Sequence, residues 1–107
     1  MITFLFPAYQ EAENLRRFPQ EVIPVFDALR TPYEILIVDD GSTDETKIVA
    51  SSLGESTRVV THEHNRGLGA AIRTGIKEAK GEILITMDTD LTFVPKLVPF
   101  LLERFAQ

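Results

Sequence analysis

Glu34-Ile35-Leu36-Ile37-Val38-Asp39-Asp40-Gly41-Ser42 is the stretch that decides the fold. An unbroken apolar run followed at once by two carboxylates and a glycine reads as a strand buried on both faces, then a turn. Both-face burial is the habit of parallel strands covered by helices. Three more runs share the character: Ile2 to Phe6, Arg58 to Thr61 and Ile83 to Met87. Between them lie segments of helical pattern, Ala12 to Leu29, Thr43 to Leu53 and Leu68 to Ala79. Pro19 and Pro24 predict two short helices or one kinked helix in the first segment. Ser42-x-x-Glu45 predicts a capping box at the start of the second. In the third, Ala71, Ile72, Gly75, Ile76 and Ala79 fall at helical spacing, with Gly81 as the stop. A last helix is expected from Pro95 to Phe105, with Pro99 near its first turn. Alternating strands and helices predict an α/β fold, an open, mostly parallel, doubly wound sheet with right-handed crossovers.

In such a sheet ligands sit beyond the carboxyl ends of the strands. Those ends carry the chemistry. Asp88-Thr89-Asp90 follows the last strand, and two carboxylates one residue apart can share a hard divalent cation such as Mg2+ or Mn2+. Held against a diphosphate, that cation would offset charge on a leaving group. A solvated acidic turn is the plainer reading of the same three residues. Asp39 and Asp40 end the second strand, where a carboxylate can accept the N–H of a nucleobase. They also suit a strand-to-helix turn, with Gly41 making the turn and Ser42 capping the helix. Pro7, Tyr9 and Glu11 follow the first strand; Tyr9 can pack on a base, or the group is a proline turn with an acidic helix start. Asn65-Arg66-Gly67-Leu68-Gly69 precedes the third helix. Arg66 and the Gly67 backbone can hold anionic oxygens, or the glycines serve close helix–sheet packing. Its likeness to a dinucleotide fingerprint fails at Ile72, and it follows the third strand rather than the first. His62 and His64 share a strand face but lack a third nitrogen ligand, so they read as exposed strand-end residues.

Length and composition bound the alternatives. The chain has 107 residues, enough for one compact domain over 1–107. It is 44% apolar and 25% charged, with a formal net charge of -5, so a basic footprint for nucleic acid is missing. No cysteine is present, which excludes disulfides, thiolate metal sites and a thiol nucleophile. No run approaches the ~20 apolar residues of a membrane span, and no signal peptide is recognisable at Met1. A signalling receiver domain of this length would carry its acidic pair after the first strand and a late strand-end lysine. Here the pair follows the second strand, and Lys96 follows no strand.

The order of the four motifs is more specific than any one of them. Phe6-Pro7-Ala8-Tyr9-Gln10-Glu11, Val38-Asp39-Asp40-Gly41-Ser42, Gly67-Leu68-Gly69 and Gly81-Glu82 through Met87-Asp88-Thr89-Asp90-Leu91, with Pro95 beyond, resemble the family-2 glycosyltransferases of GT-A fold. Within them the chain is most similar to the dolichyl- or polyprenyl-phosphate mannose and glucose synthases. The resemblance implies an inverting, metal-dependent transfer of a sugar from a GDP- or UDP-linked donor to a polyprenyl or dolichyl phosphate. It places Pro7, Tyr9, Glu11, Asp39, Asp40, Arg66, Gly67 and Asp88 at the nucleotide, with Asp40 on the base. It places Asp88, Asp90 and Thr92 on Mg2+ or Mn2+, and makes Asp88 and Asp90 the catalytic pair. Gln10 stands where the family pattern has Asn, and Thr89 where it has Ala. The resemblance further implies a chain that stops before the acceptor-binding segment and so turns over poorly alone. A cytoplasmic location at a membrane face and a homodimer through an exposed sheet edge are the remaining expectations.

Overall fold

The computed structural model of the chain describes residues 1–90, so the expected helix from Pro95 to Phe105, Thr92 and Lys96 lie outside the described residues. Four strands form one sheet in the order β3-β2-β1-β4, with β1 Ile2–Ala8, β2 Tyr33–Asp39, β3 Thr57–Thr61 and β4 Ile83–Thr86. Every pairing is parallel: Phe4 lies opposite Ile35 and Ile85, and Ile37 opposite Val59. β1 and β2 are buried on both faces, as their apolar runs demand, whereas β3 and β4 are half-buried.

Alternate residues of the two central strands feed two cores. Phe4, Phe6, Ile35 and Ile37 point to one face, where Leu15, Phe18, Phe26 and Val49 cover them. The rings of Phe4 and Phe26 stack with centroids 3.8 Å apart. Leu5, Leu36 and Val38 point to the other face, against Ala71. Helix α5, Leu68–Glu78, covers that face, and Gly75 lets it approach: a Cβ there would run into the Leu5 side chain. Helices therefore flank both faces, as expected of a doubly wound sheet.

Three helical expectations are corrected. The segment after β1 folds as three short helices, α1 Ala12–Leu15, α2 Phe18–Glu21 and α3 Ile23–Asp27, with Pro19 and Pro24 each in a first turn. Proline is tolerated there because the first-turn N–H has no helical partner to lose. Helix α4 runs Thr46–Ser51 with Glu45 at its N-cap, so Ser42 caps nothing. Its hydroxyl instead accepts the Gln10 N–H at 2.9 Å. Gly81 does not stop α5 either; Ala79 does, by turning extended at ψ 136°. Gly81 is there for contact, because a Cβ would sit 2.6 Å from the Met1 carbonyl oxygen and 2.7 Å from Thr3 N.

A buried carboxylate ties the sheet together away from the strand ends. Glu34 accepts the Thr3 hydroxyl at 2.7 Å, the Lys80 N–H at 2.8 Å and the Arg58 guanidinium at 3.2 Å. Burial pushes the Glu34 carboxyl up, but these donors outweigh it and hold it below its usual value. A depressed carboxylate stabilises the fold above its unfolded value and loses that contribution as pH falls through the folded one. Glu34→Gln should accordingly lower Tm at neutral pH and flatten the loss of Tm on acidification below pH 4.5. An unchanged acid profile in a melting series from pH 7 to 3 would refute this role.

Candidate functional site

With the order β3-β2-β1-β4, chain progression reverses between β1 and β4. That reversal opens a crevice beyond the carboxyl ends of two neighbouring strands. A cleft of about 410 Å³ lies there, within the usual size of a small-ligand site. From the end of β1 come Pro7, Ala8, Tyr9 and Glu11. From beyond β4 come Asp88, Thr89 and Asp90, and from the loop before α5 Asn65, Gly67 and Leu68. Asp40 reaches it from the end of β2.

Alternation explains the acidic pair. Met87 and Thr89 turn inward at 3% exposure each, while Asp88 and Asp90 are exposed. Both acidic residues belong to the cleft lining. Among the described residues no group of three or more His, Cys, Asp or Glu gathers to cage a metal. A pair of exposed carboxylates fits instead a hard cation that keeps waters and takes its other ligands from substrate phosphates. Tyr9, 46% exposed at the cleft wall, offers an aromatic face for stacking.

The first two strand-end loops are stitched to each other. Gln10 sits at φ 56°, a left-handed conformation rarely adopted by residues other than glycine and asparagine. Its side-chain oxygen accepts the N–H groups of Thr43 at 2.7 Å and Asp44 at 3.1 Å, and its amide donates to Thr43 Oγ1 at 3.0 Å. The Glu11 N–H donates to the buried Thr46 hydroxyl at 2.9 Å. A side chain one carbon shorter than Gln10 would not span this gap in the same pose. These bonds hold the strained residue and so fix Tyr9 and Glu11 beside it.

Two expected nucleotide residues are not in the cleft lining. Asp39 is 1% exposed, and its Oδ1 accepts the Ser42 N–H at 3.1 Å. It shapes the turn. The Arg66 side chain lines a separate groove with Ala70, Arg73, Thr74 and Lys77, on the outer side of α5. Only its backbone takes part, donating to Asp40 Oδ1 at 2.8 Å. The Gly67 N–H donates to Asp40 Oδ2 at 2.9 Å. Here the backbone N–H groups of the glycine loop grip a protein carboxylate.

His62 corrects the sequence reading outright. It is 7% exposed, with Nδ1 2.8 Å from Asp40 Oδ1 and Nε2 2.8 Å from Thr74 Oγ1. His64 alone is the exposed histidine. Both histidines lie beyond the end of β3, so strand alternation does not govern them, and His62 alone is buried, between Asp40 and Thr74 of α5. Burial pushes the Asp40 carboxyl up, yet the bonds from His62, Arg66 and Gly67 prevail and hold it below its usual range. The carboxylate is ionised at neutral pH.

The chain is similar to known proteins over nearly its whole length. A family model for glycosyl transferase family 2 matches residues 3–107. Over 104 residues the chain is 34% identical to a dolichol-phosphate mannosyltransferase of Pyrococcus furiosus, covering 95% of this chain and 29% of that one. It is 33% identical over 110 residues to an undecaprenyl-phosphate 4-deoxy-4-formamido-L-arabinose transferase of Sodalis glossinidius, covering 99% and 34%. The chain therefore spans about a third of the length of these relatives. Among solved structures, a mannosyltransferase of Pyrobaculum calidifontis in complex with GDP-mannose and Mn2+ superposes with TM-score 0.80 at 23% identity, over 99% of this chain and 32% of that one. Glucosyl-3-phosphoglycerate synthase of Mycobacterium tuberculosis, in complex with Mn2+, UDP and glucosyl-3-phosphoglycerate, superposes with TM-score 0.76 at 27% identity, over 98% and 39%.

Proposed function

The chain belongs to glycosyl transferase family 2, with the GT-A fold, and from that premise we propose that its cleft is the donor site of a nucleotide-sugar-dependent glycosyltransferase. The observation that carries this reading is the meeting of Pro7, Tyr9 and Glu11 with Asp88 and Asp90 in one cleft at the strand-order reversal. Tyr9 would pack on the base and Asp40 would accept its ring N–H. Asp88 and Asp90 would hold the diphosphate through a divalent cation, Mn2+ or Mg2+. That cation, when bound, supplies charge neutralisation at the departing diphosphate. Asp88 and Asp90, exposed in the cleft lining, are the residues that would hold it.

The acceptor, in this reading, is a polyprenyl or dolichyl phosphate, as in the activities that name the Pyrococcus and Sodalis relatives. A phosphate oxygen would attack the anomeric carbon as the bond to the nucleoside diphosphate breaks, inverting that carbon. An anionic phosphate needs no general base to become a nucleophile. No helix among the described residues is long and apolar enough to cross a membrane. Work at the cytoplasmic face of a membrane therefore rests on the acceptor's chemistry. The outer edges of β3 and β4, which pair with no other strand among the described residues, are where a second copy would add.

Calorimetric titration with nucleoside diphosphates, with and without Mn2+, tests the reading. Metal-dependent binding is expected in the wild type. It should weaken at least about tenfold in Asp90→Ala and in Asp88→Ala, as removal of a charged metal or phosphate contact implies. Binding that ignores both the metal and the two substitutions would overturn the donor-site assignment.

A further inference from the structure

The bonds around Asp40 bear on which base the cleft takes. A carboxylate offers about four acceptor positions, two on each oxygen. Oδ1 spends both of its positions, one on His62 Nδ1 and one on the Arg66 N–H, each at 2.8 Å. Oδ2 spends one on the Gly67 N–H at 2.9 Å. One position is left, on Oδ2, for a ligand in the cleft that Asp40 lines. We propose that His62, by filling Oδ1, makes Asp40 a single acceptor and thereby sets the donor specificity to uridine over guanosine nucleotides.

This role for His62 rests on the donor-site reading of the cleft and adds to it the choice of base. Among the bases, adenine and cytosine present an unprotonated ring nitrogen and would oppose a carboxylate. Uracil presents one ring N–H flanked by carbonyl oxygens. Guanine presents a ring N–H and an adjacent amino group, a pair of donors suited to both oxygens of a carboxylate. A uracil N–H satisfies the single open position without disturbing the network. Guanine's second donor would have to displace His62 or the Arg66 N–H from Oδ1, or go unpaired in a desolvated site. Leaving a polar group unpaired is the stronger form of discrimination a binding site can exert.

His62 is well placed to enforce this. It is wedged between β2 and α5, with Nδ1 on the carboxylate and Nε2 on the Thr74 hydroxyl. Because a carboxylate can only accept, Nδ1 carries the proton and Nε2 takes the Thr74 O–H. The ring cannot rotate away without losing both bonds. His62 is thus a positioning residue, acting on the ligand through Asp40.

The test is a ratio. UDP and GDP are titrated calorimetrically, in the presence of Mn2+, into the 107-residue chain and two variants. The wild type is expected to bind UDP about tenfold or more tightly than GDP, the worth of one hydrogen bond. His62→Asn, whose amide N–H can take the place of Nδ1, should keep the preference. His62→Leu frees a position on Oδ1 and should bring the two affinities to within about threefold. A structural role alone would weaken both nucleotides equally and leave the ratio where it was, which would overturn the role given to His62. Equal or tighter binding of GDP by the wild type overturns the base assignment while leaving the donor site standing, and this outcome decides even if His62→Leu does not fold. Binding of neither nucleotide by a cooperatively melting wild type removes the donor-site reading itself, and the inference with it.

Discussion

Gly41→Ala is expected to lower the unfolding free energy by at least about 3 kcal/mol and to abolish nucleotide binding in whatever fraction still folds. Two costs add. Gly41 sits at φ 75°, where an alanine is strained by about 1–2 kcal/mol. A Cβ at that position would also overlap the backbone of His64 and Asn65. Backbone atoms cannot rotate aside as a side-chain tip can, so the 64–65 segment would have to move. That segment leads directly into Arg66 and Gly67, whose N–H groups hold Asp40. One methyl group would therefore strain the β2 turn and pull apart the loop that lines the cleft. Denaturant unfolding monitored by circular dichroism measures the first effect, and calorimetry the second. A loss below about 1 kcal/mol would mean that the 64–65 loop yields easily, and the rigidity argued for Asp40 would fall with it. Gly75→Ala is the useful contrast, because there the obstacle is the Leu5 side chain, and alanine's higher helix propensity offsets part of the clash.

The parts of this molecule that were legible in its sequence are those where periodicity acts. Ile2 to Phe6 and Glu34 to Val38 could only be strands covered on both sides, and a parallel sheet necessarily brings the residues after them to one edge. Asp40, Asp88, Asp90, Tyr9 and Glu11 converge for that reason, with no need for foresight about individual contacts. What escaped is set by packing between segments distant in the chain. Ser42-x-x-Glu45 has the letters of a capping box, but Gln10 approaches from β1 and takes the Thr43 and Asp44 N–H groups for its own side chain. The helix then starts later, at Thr46. Gly81 looks like a helix stop, yet it is fixed by the proximity of Met1 and of Thr3 on β1, which starts at Ile2. Arg66 beside a glycine loop suggests an anion site, but whether the backbone or the side chain faces the cleft depends on how the loop lies on Asp40. His62 is the clearest case. A histidine at an edge-strand end is ordinarily wet, and nothing local in Val60-Thr61-His62-Glu63 signals that Thr74, twelve residues on, will meet its far nitrogen.

Removing the carboxylate that these groups share should be the most damaging polar substitution among the described residues. In Asp40→Ala, His62 Nδ1 and the N–H groups of Arg66 and Gly67 lose their acceptor at once, in a site only 4% exposed. Breaking a buried, hydrogen-bonded charge by deleting one partner costs about 3–5 kcal/mol. Asp40→Asn is nearly isosteric and still fails, because its amide would present a donor to one of these donors. The acid dependence separates the charge from the shape. Asp40 has a depressed pKa, so the stability it confers is complete above its unfolded value, near 3.8, and drains away as pH falls through the lower folded value. The wild-type melting temperature should therefore drop steeply below about pH 4, in part through Asp40 and in part through Glu34. Both Asp40 variants should start lower at pH 7 and converge toward the wild type as the pH falls through the folded value and the wild-type carboxyl takes up its proton. Parallel curves, offset by the same amount at every pH, would show that Asp40 contributes through packing alone. In that event the acceptor count on which the base preference depends would have no physical footing.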